Sequence, residues 1–185
     1  NTLLSWLPED LSGRQVLDAG CGTGVISIEL AKRGAEVIAV DLSQSLIELA
    51  NERYSTMDEY HRIQFIVGDM RQLEGERFDH VLAMDSIIHY AAQDGLRTLE
   101  TLADSVDESM VFTFVPQTLP LAAMHAVGKF FPRSDRAPAI EPIAPAVLLR
   151  SLDKSSELSD WKVGREHRVS TGFYTSQAME LVREC

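Results

Sequence analysis

Residues 16–24 read Val-Leu-Asp-Ala-Gly-Cys-Gly-Thr-Gly, and this stretch is the strongest local signal in the chain. A short apolar run from Gln15 to Asp18 precedes the glycines, and helix-forming residues from Val25 to Arg33 follow them. Glycine permits a sharp turn and lets the backbone approach a ligand closely. The stretch therefore predicts a β-strand, a ligand-binding turn and an α-helix in that order.

The spacing of the glycines excludes two phosphate-binding loops. A P-loop ends in Gly-Lys-Ser or Gly-Lys-Thr, which does not occur in this chain. A dinucleotide fingerprint requires glycine where this chain has Val25, whereas the glycines here are Gly20, Gly22 and Gly24. The turn is therefore not expected to hold a pyrophosphate.

Downstream of the turn, β-like runs alternate with helical patterns. Apolar strands that alternate with helices indicate βαβ units and a parallel sheet covered on both faces. The last two runs, Trp161 to Ser170 and Gly172 to Val182, are predicted to form an antiparallel pair. The other predicted strands are Glu36 to Val40, Ile63 to Val67, Phe78 to Met84 and Met110 to Val115, and the other predicted helices run from a cap at Ser43 to about Tyr54, from Gln93 to Ala103 and from Pro145 to Leu152.

Composition restricts the class of protein. The chain has 185 residues, of which 45% are hydrophobic, enough for one packed domain. Its 17 basic and 28 acidic residues give a formal charge of −11, which argues against nucleic-acid binding. Two cysteines cannot form a disulfide framework, no apolar run is long enough to span a bilayer, and no signal-peptide pattern opens the chain. We therefore expect a cytoplasmic protein.

Prolines are concentrated in one segment. Six of the chain's seven prolines lie between Pro116 and Arg150. Proline is excluded from central strands and from helix interiors. Residues 116–150 are therefore predicted to form an insertion outside the sheet, with a short helix near Leu121 to Phe130.

Residues 18–24 resemble the first motif of the class I S-adenosylmethionine-dependent methyltransferases. The resemblance implies a Rossmann-like, doubly wound α/β fold with a mostly parallel seven-stranded sheet, an antiparallel last strand and the Pro-rich insertion after strand 5. It implies one methyltransferase domain over residues 1–185, in which residues 116–150 cover the substrate. The implied cofactor is S-adenosyl-L-methionine and the implied product S-adenosyl-L-homocysteine. The histidines are scattered in the sequence, so no protein-bound metal is expected.

The resemblance also implies a cofactor site at the carboxyl ends of successive strands, where open α/β sheets bind ligands. The glycine turn would face the amino-acid end of the cofactor. Asp41 would accept both ribose hydroxyls, Asp69 would accept from the adenine amino group, and Met70 would pack on the ring. The alternative is that a glycine turn and three strand-end acids serve ordinary loop roles. The residues expected at this site are Asp18, Gly20, Gly22, Asp41, Leu42, Asp69, Met70 and Asp85.

Two further stretches point to the methyl acceptor. Residues 85–90, Asp-Ser-Ile-Ile-His-Tyr, resemble the fourth motif of the magnesium-protoporphyrin IX O-methyltransferases, and residues 128–138 resemble the insertion of that family. The resemblance implies methyl esterification of a propionate of magnesium protoporphyrin IX in chlorophyll or bacteriochlorophyll biosynthesis. It also implies neighbouring pigment-pathway enzymes such as magnesium chelatase, and at most peripheral contact with photosynthetic membranes.

His89 is the residue expected to be catalytic. Its imidazole would hydrogen-bond the propionate, accept a proton from it, or ligate the porphyrin magnesium. The alternative is a histidine at a helix start that is satisfied locally. A porphyrin is an apolar plate with anionic arms, so aromatic and basic side chains are expected around it, unless they only pack the insertion onto the core or face solvent. The expected substrate contacts are Tyr90, Phe130, Arg133 and Arg136.

Two other functions remain open from the sequence. A methyltransferase for another small acceptor, such as a quinone precursor or a fatty acid, would share every cofactor residue and differ in the insertion. A non-catalytic module would bind the cofactor or a porphyrin as a sensor or carrier. Replacing His89 by Ala separates an enzyme from a carrier. The enzyme should lose turnover while it still binds the cofactor, whereas ligand binding by a carrier should change little.

Overall fold

The structure, a computed structural model, describes residues 2–73, 75–117, 140–171 and 174–184. Strands and helices alternate along most of the chain, as the sequence predicts. The strands are β1 (Gln15–Ala19), β2 (Glu36–Asp41), β3 (Ile63–Val67), β4 (Phe78–Ala83), β5 (Val106–Phe114), β6 (Trp161–Thr171) and β7 (Tyr174–Arg183). The described α-helices are α1 (Val25–Lys32), α2 (Gln44–Tyr54), α3 (Ala92–Ala103) and α4 (Pro145–Lys154), and 3-10 helices span Leu4–Trp6, Asp58–Arg62 and Ile87–His89.

The seven strands form one sheet in the order β3-β2-β1-β4-β5-β7-β6. Strands β1 to β5 pair in parallel, and β7 is antiparallel to both of its neighbours. The predicted Rossmann-like, mostly parallel sheet with an antiparallel last strand is therefore confirmed. The strand order reverses between β1 and β4, and open α/β sheets bind ligands at such a switch point, beyond the carboxyl ends of the strands.

Local sequence signals account for the helix ends. Ser43 caps α2, because its hydroxyl accepts the Leu46 N–H at 3.4 Å. Helix α1 ends before Gly34, whose φ of 91° is the left-handed conformation that glycine adopts readily. Strand β5 begins at Val106, four residues earlier than the predicted start at Met110. Its first residues include the charged Asp107 and Glu108, which hide the apolar pattern of a strand in the sequence. In the folded protein their carboxylates pair with Arg77 and Arg14.

Each face of the sheet carries one hydrophobic layer. Helices α3 and α4 cover one face, where Leu99, Leu148 and Trp161 are buried. Helices α1 and α2 cover the other face together with the amino-terminal 3-10 helix, which contributes Leu3 and Leu4. The helices thus shield the apolar side chains on both faces of the sheet from water. The sheet in turn provides a rigid base for the loops at its carboxyl edge.

Two arginines attach the amino-terminal segment to the rest of the domain, one at the end of α1 and one on β6. The Arg33 guanidinium donates to the Leu4 carbonyl at 2.6 Å. Arg165 of β6 donates to the Trp6 carbonyl and, through Nε, to the buried Glu180 carboxylate at 2.8 Å. The segment is therefore held by charge-assisted hydrogen bonds in addition to its buried leucines.

Most of the predicted insertion at 116–150 lies outside the described residues, including the helix near Leu121 to Phe130 and the substrate contacts Phe130, Arg133 and Arg136. The described residues at the two ends of this predicted insertion pack against the rest of the domain. The Ile143 N–H donates to the Val115 carbonyl at 2.9 Å, and Leu148 of α4 is buried in the core.

Among the described residues, we find no helix with the length and apolar character needed to cross a membrane.

Candidate active site

The loops that follow β1 to β4 meet at one edge of the sheet. The Gly20 N–H donates to the Val40 carbonyl of β2 at 2.8 Å, and the Gly68 N–H donates to the Asp41 carbonyl at 2.9 Å. Because these bonds join successive strand ends, the strand-end positions singled out in the sequence lie side by side. Their convergence was expected from a parallel sheet, and the ladder between the strands confirms it.

The three glycines of the turn have different reasons to be glycine. Their φ angles are 81° at Gly20, 54° at Gly22 and 75° at Gly24, all in the left-handed region. A Cβ on Gly20 would overlap the Ser86 side chain, and one on Gly24 would lie 2.8 Å from the Phe65 ring. A Cβ on Gly22 would meet no atom within 4 Å, so this residue faces open space where a ligand can approach the backbone.

Asp18 lies beneath this turn. Its side chain is 1% exposed, and its carboxylate accepts a hydrogen bond from the Ser27 hydroxyl of α1 at 2.6 Å. Burial raises the pKa of Asp18 to about 6, against the lowering effect of the Ser27 hydrogen bond. The neighbouring Cys21 is buried, and burial raises the pKa of its thiol, so it is not an activated nucleophile. The structure thus places Asp18 as a support of the turn.

Asp41 has its carboxylate at the open side of the turn. One oxygen accepts the Gly22 N–H at 2.9 Å and the other accepts the Ser43 N–H at 2.8 Å. A carboxylate oxygen can accept more than one hydrogen bond, so both oxygens remain able to receive ligand hydroxyls. The adjacent Leu42 is 70% exposed, which places an apolar surface beside these acceptors. This combination fits a ribose and the flat face of a base.

The third strand end contains an ion pair that the sequence did not predict. The Arg71 guanidinium donates to both oxygens of Asp69, from Nη2 at 2.6 Å and from Nε at 3.0 and 3.2 Å. These hydrogen bonds hold the pKa of Asp69 below its ordinary value. Met70 is 8% exposed and packs in the hydrophobic core, so the surface it offers to a ring is small.

The fourth strand end presents His89. Asp85 adopts a φ of 53°, and the Thr113 hydroxyl holds it there by accepting its N–H at 2.8 Å and donating to its carboxylate at 3.0 Å. Ile87 and Ile88 anchor the following 3-10 helix in the core, which leaves His89 exposed at its end. The next residue, Tyr90, is half-buried, and burial raises the pKa of its phenol.

The same 3-10 helix contacts the chain after the Pro-rich segment. The Glu141 N–H donates to the Ile88 carbonyl at 2.8 Å. The Gln117 N–H donates to the Ile143 carbonyl at 2.9 Å, so the described residues before and after the segment 118–139 lie near each other and near this 3-10 helix. This arrangement supports the expectation that the segment belongs to the acceptor side of the site.

The structure thus gathers the predicted cofactor residues at one edge of the sheet and sets His89 and Tyr90 beside them. Ser27, Arg71 and Thr113 are not among the residues predicted from the sequence. An Asp and an Arg two residues apart after a strand was the available signal for Arg71, whereas Ser27 and Thr113 reach their partners only through the fold. Within the part of the chain that the structure describes, no group of three or more His, Cys, Asp or Glu side chains is placed to hold a metal ion.

Comparisons with known proteins agree with this geometry. A family model described as magnesium-protoporphyrin IX methyltransferase C-terminus matches residues 83–183, and a methyltransferase domain model matches residues 16–108. The magnesium-protoporphyrin O-methyltransferase of Rhodobacter capsulatus is 43% identical over 178 residues, which cover 96% of this chain and 76% of that protein. A chloroplastic magnesium protoporphyrin IX methyltransferase of Arabidopsis thaliana is 32% identical over 98% of this chain and 57% of its own length.

A solved structure extends the comparison to three dimensions. The crystal structure of magnesium protoporphyrin IX methyltransferase from Synechocystis with bound SAH superposes with a TM-score of 0.82 at 30% identity, over 99% of this chain and 81% of that one. The resemblance found in the sequence is confirmed at both levels. The chain therefore belongs to the magnesium-protoporphyrin IX methyltransferase family of S-adenosylmethionine-dependent methyltransferases.

Proposed function

We propose that this protein transfers a methyl group from S-adenosyl-L-methionine to a propionate carboxylate of magnesium protoporphyrin IX. The observation that carries this proposal is the contact between Gly20 and Ser86, which sets the glycine turn against the loop that bears His89. A donor site and an acceptor site in contact are what a direct transfer requires. The family model over residues 83–183 includes this acceptor loop and supports the choice of acceptor.

The described residues fit the cofactor. The open space at Gly22, the acceptor oxygens of Asp41 and the exposed side chain of Leu42 suit an amino-acid chain, a ribose and a base in that order. When bound, S-adenosyl-L-methionine supplies an electrophilic methyl group on a positively charged sulfur. The buried Asp18 contributes a negative charge beneath the turn when it is ionised, and this charge favours a cationic ligand.

The acceptor needs little activation. A model carboxyl group has a pKa of about 4.3, so a propionate is already ionised at neutral pH. The protein's task is therefore to orient the carboxylate and to exclude water around it. His89 is exposed at the end of its 3-10 helix, and in this proposal its imidazole donates a hydrogen bond that orients the propionate. Tyr90 provides an adjoining surface for the tetrapyrrole.

In this proposal the chain forms one domain, and one segment of it covers the acceptor. Residues 1–185 form one methyltransferase domain, and the segment within 116–150 covers the acceptor with Phe130, Arg133 and Arg136. The hydrogen bond from Glu141 to Ile88 supports this position. Because the acceptor arrives with magnesium in place, an enzyme that inserts magnesium, such as magnesium chelatase, acts before this one. A hydrophobic pigment precursor also favours work in the cytoplasm at the surface of photosynthetic membranes.

A methyl-transfer assay tests the proposal. Purified protein with S-adenosyl-L-methionine should convert magnesium protoporphyrin IX to one monomethyl ester, and metal-free protoporphyrin IX much more slowly. Cofactor binding without ester formation would instead favour a sensor or carrier. Methylation of a quinone precursor in preference to the porphyrin would favour the other small-molecule class.

Two histidine variants separate the role of His89 from a general effect. His89→Ala should lower kcat by about 100-fold while cofactor binding stays unchanged. The matched control is His61→Ala, because His61 is exposed in the 3-10 helix that precedes β3, at the opposite edge of the sheet. Equal activity of the two variants would remove His89 from the mechanism.

A further inference from the structure

Arg71 has a fixed orientation between Asp69 at the third strand end and Tyr90 on the loop that follows β4. Its side chain is 41% exposed, whereas its partner Asp69 is 16% exposed. The guanidinium carbon lies 5.8 Å from the centre of the Tyr90 ring. The guanidinium is thus hydrogen-bonded to a carboxylate on one side and lies close to an aromatic ring, which together limit its rotation.

Part of the guanidinium remains available to a ligand. An arginine carries five N–H donors, and Asp69 receives those on Nε and Nη2. The N–H groups of Nη1 have no hydrogen-bond acceptor among the residues in the described ranges. Tyr90, whose ring contacts the guanidinium, directly follows His89 in the chain. The available donors therefore belong to the neighbourhood of the acceptor.

The chemistry decides which anionic group Arg71 can serve. An ion pair with the reacting carboxylate would withdraw electron density from the oxygen that attacks the methyl group and would slow the transfer. Arginine suits instead a carboxylate that must be held without reacting, because its planar fork matches both oxygens. The acceptor in the proposed function carries two propionates, and only one of them is methylated.

We propose that Arg71, oriented by Asp69 and Tyr90, binds the propionate that is not methylated and so selects an acceptor with two carboxylates. This inference rests on the proposed function for the identity of the acceptor. Arg133 and Arg136 are substrate contacts expected from the sequence, whereas Arg71 receives its role from its geometry. Arg71 is thus a specificity-determining residue, and Asp69 positions it.

The test compares two acceptors in two variants. One acceptor is magnesium protoporphyrin IX, which has two free propionates. The other, the blocked acceptor, is its monomethyl ester in which the propionate that does not react is already esterified. Arg71→Gln should raise KM for the diacid roughly 10- to 100-fold, the range for losing a charge-assisted hydrogen-bonded pair, with kcat nearly unchanged. The same substitution should leave KM for the blocked acceptor unchanged. Arg71→Lys should restore part of the diacid affinity, because it keeps the charge and loses the fork.

Arg62→Gln is the matched control. Arg62 pairs with Glu36 at 2.5 Å before the start of β3, away from the carboxyl ends of the strands, and its loss should affect neither acceptor. A raised KM for both acceptors in Arg71→Gln would overturn the inference in favour of a structural role. A fall in kcat at constant KM would place Arg71 at the reacting oxygen. A weaker cofactor affinity by calorimetry would show that Arg71 acts through Asp69 on the donor.

Equilibrium binding keeps this inference separate from the proposed function. Porphyrin fluorescence titrations give Kd for each acceptor without turnover. One possible result is that wild type prefers the diacid, that Arg71→Gln loses this preference and that neither protein forms ester. This result would contradict the proposed function and support the role of Arg71. Ester formation with no change in preference would contradict the role of Arg71 alone.

Discussion

Replacing Asp18 by Asn should remove a loss of stability that wild type shows as the pH rises towards neutral. The Asp18 carboxyl is buried beneath the glycine turn, and burial raises its pKa from 3.8 to about 6. The fold therefore disfavours the ionised form. An asparagine side chain is neutral at every pH, and its amide oxygen can still accept the hydrogen bond from Ser27.

The size and sign of the effect follow from the shift in pKa. Because the folded-state pKa exceeds the unfolded value, the folded protein binds this proton more tightly. The contribution of Asp18 to stability is thus fully present below pH 3.8 and is lost as the pH rises through about 6. A shift of about two units corresponds to about 3 kcal/mol of stability that wild type loses between pH 3.8 and pH 7 and that Asp18→Asn does not lose.

Urea unfolding of both proteins between pH 5 and pH 7.5 measures this effect. The stability of Asp18→Asn relative to wild type should rise by about 1 to 2 kcal/mol over this interval. Asp10→Asn is the control, since Asp10 is an exposed carboxylate whose pKa is lowered by its hydrogen bonds with Ser12, so its stability relative to wild type should not rise with pH. A relative stability that is constant with pH for Asp18→Asn would refute the reasoning.

The same substitution should weaken cofactor binding. A cationic ligand favours the ionised form of Asp18, so the affinity of wild type should rise with pH through about 6. Asp18→Asn should bind more weakly and without this rise. Calorimetric titrations at pH 5.5 and 7.5 test both statements, and equal pH dependence in the two proteins would contradict the position given to Asp18.

Three further predictions concern the backbone, an ion pair and a hydroxyl. Gly22→Ala and Gly13→Ala should each cost about 1 kcal/mol of stability, because both glycines have positive φ and open space around them, but only Gly22→Ala should lose cofactor affinity in a calorimetric titration. Arg165→Gln should cost about 3 kcal/mol in urea unfolding because it leaves the buried carboxylate of β7 unpaired, whereas Arg62→Gln, from an exposed pair, should cost less than about 1 kcal/mol. Thr113→Val should cost about 1 to 2 kcal/mol and lower kcat, because the turn after β4 loses its support; an unchanged kcat would contradict this.

Much of the fold was predictable because its signals are local. The glycine turn, the Ser43 cap and the alternation of apolar runs each depend on a few neighbouring residues, and the observed bounds differ from the predicted ones mostly by one residue. Strand β5 was the exception. Its first residues are charged, and their partners Arg14 and Arg77 lie far away in the sequence.

The site was predictable in position and less so in its internal bonds. Parallel strands bring their carboxyl ends together, so the order of motifs along the chain sufficed to place Asp41, Asp69 and Asp85 at one edge. Burial depends on side-chain packing, and periodicity alone did not show that Asp18 and Met70 point into the interior. The pairing of Arg71 with Tyr90 depends on two loops that meet only in the folded chain.

The absence of a side chain at Gly20 has a consequence for how this family can diversify. Gly20 lies directly against the Ser86 side chain, so in the proposed function the donor and the acceptor share this contact as a common wall. Any bulkier residue on either side of the wall must displace the opposite loop. Changes that admit a new acceptor should consequently arise away from the wall, in segments whose movement leaves the donor undisturbed.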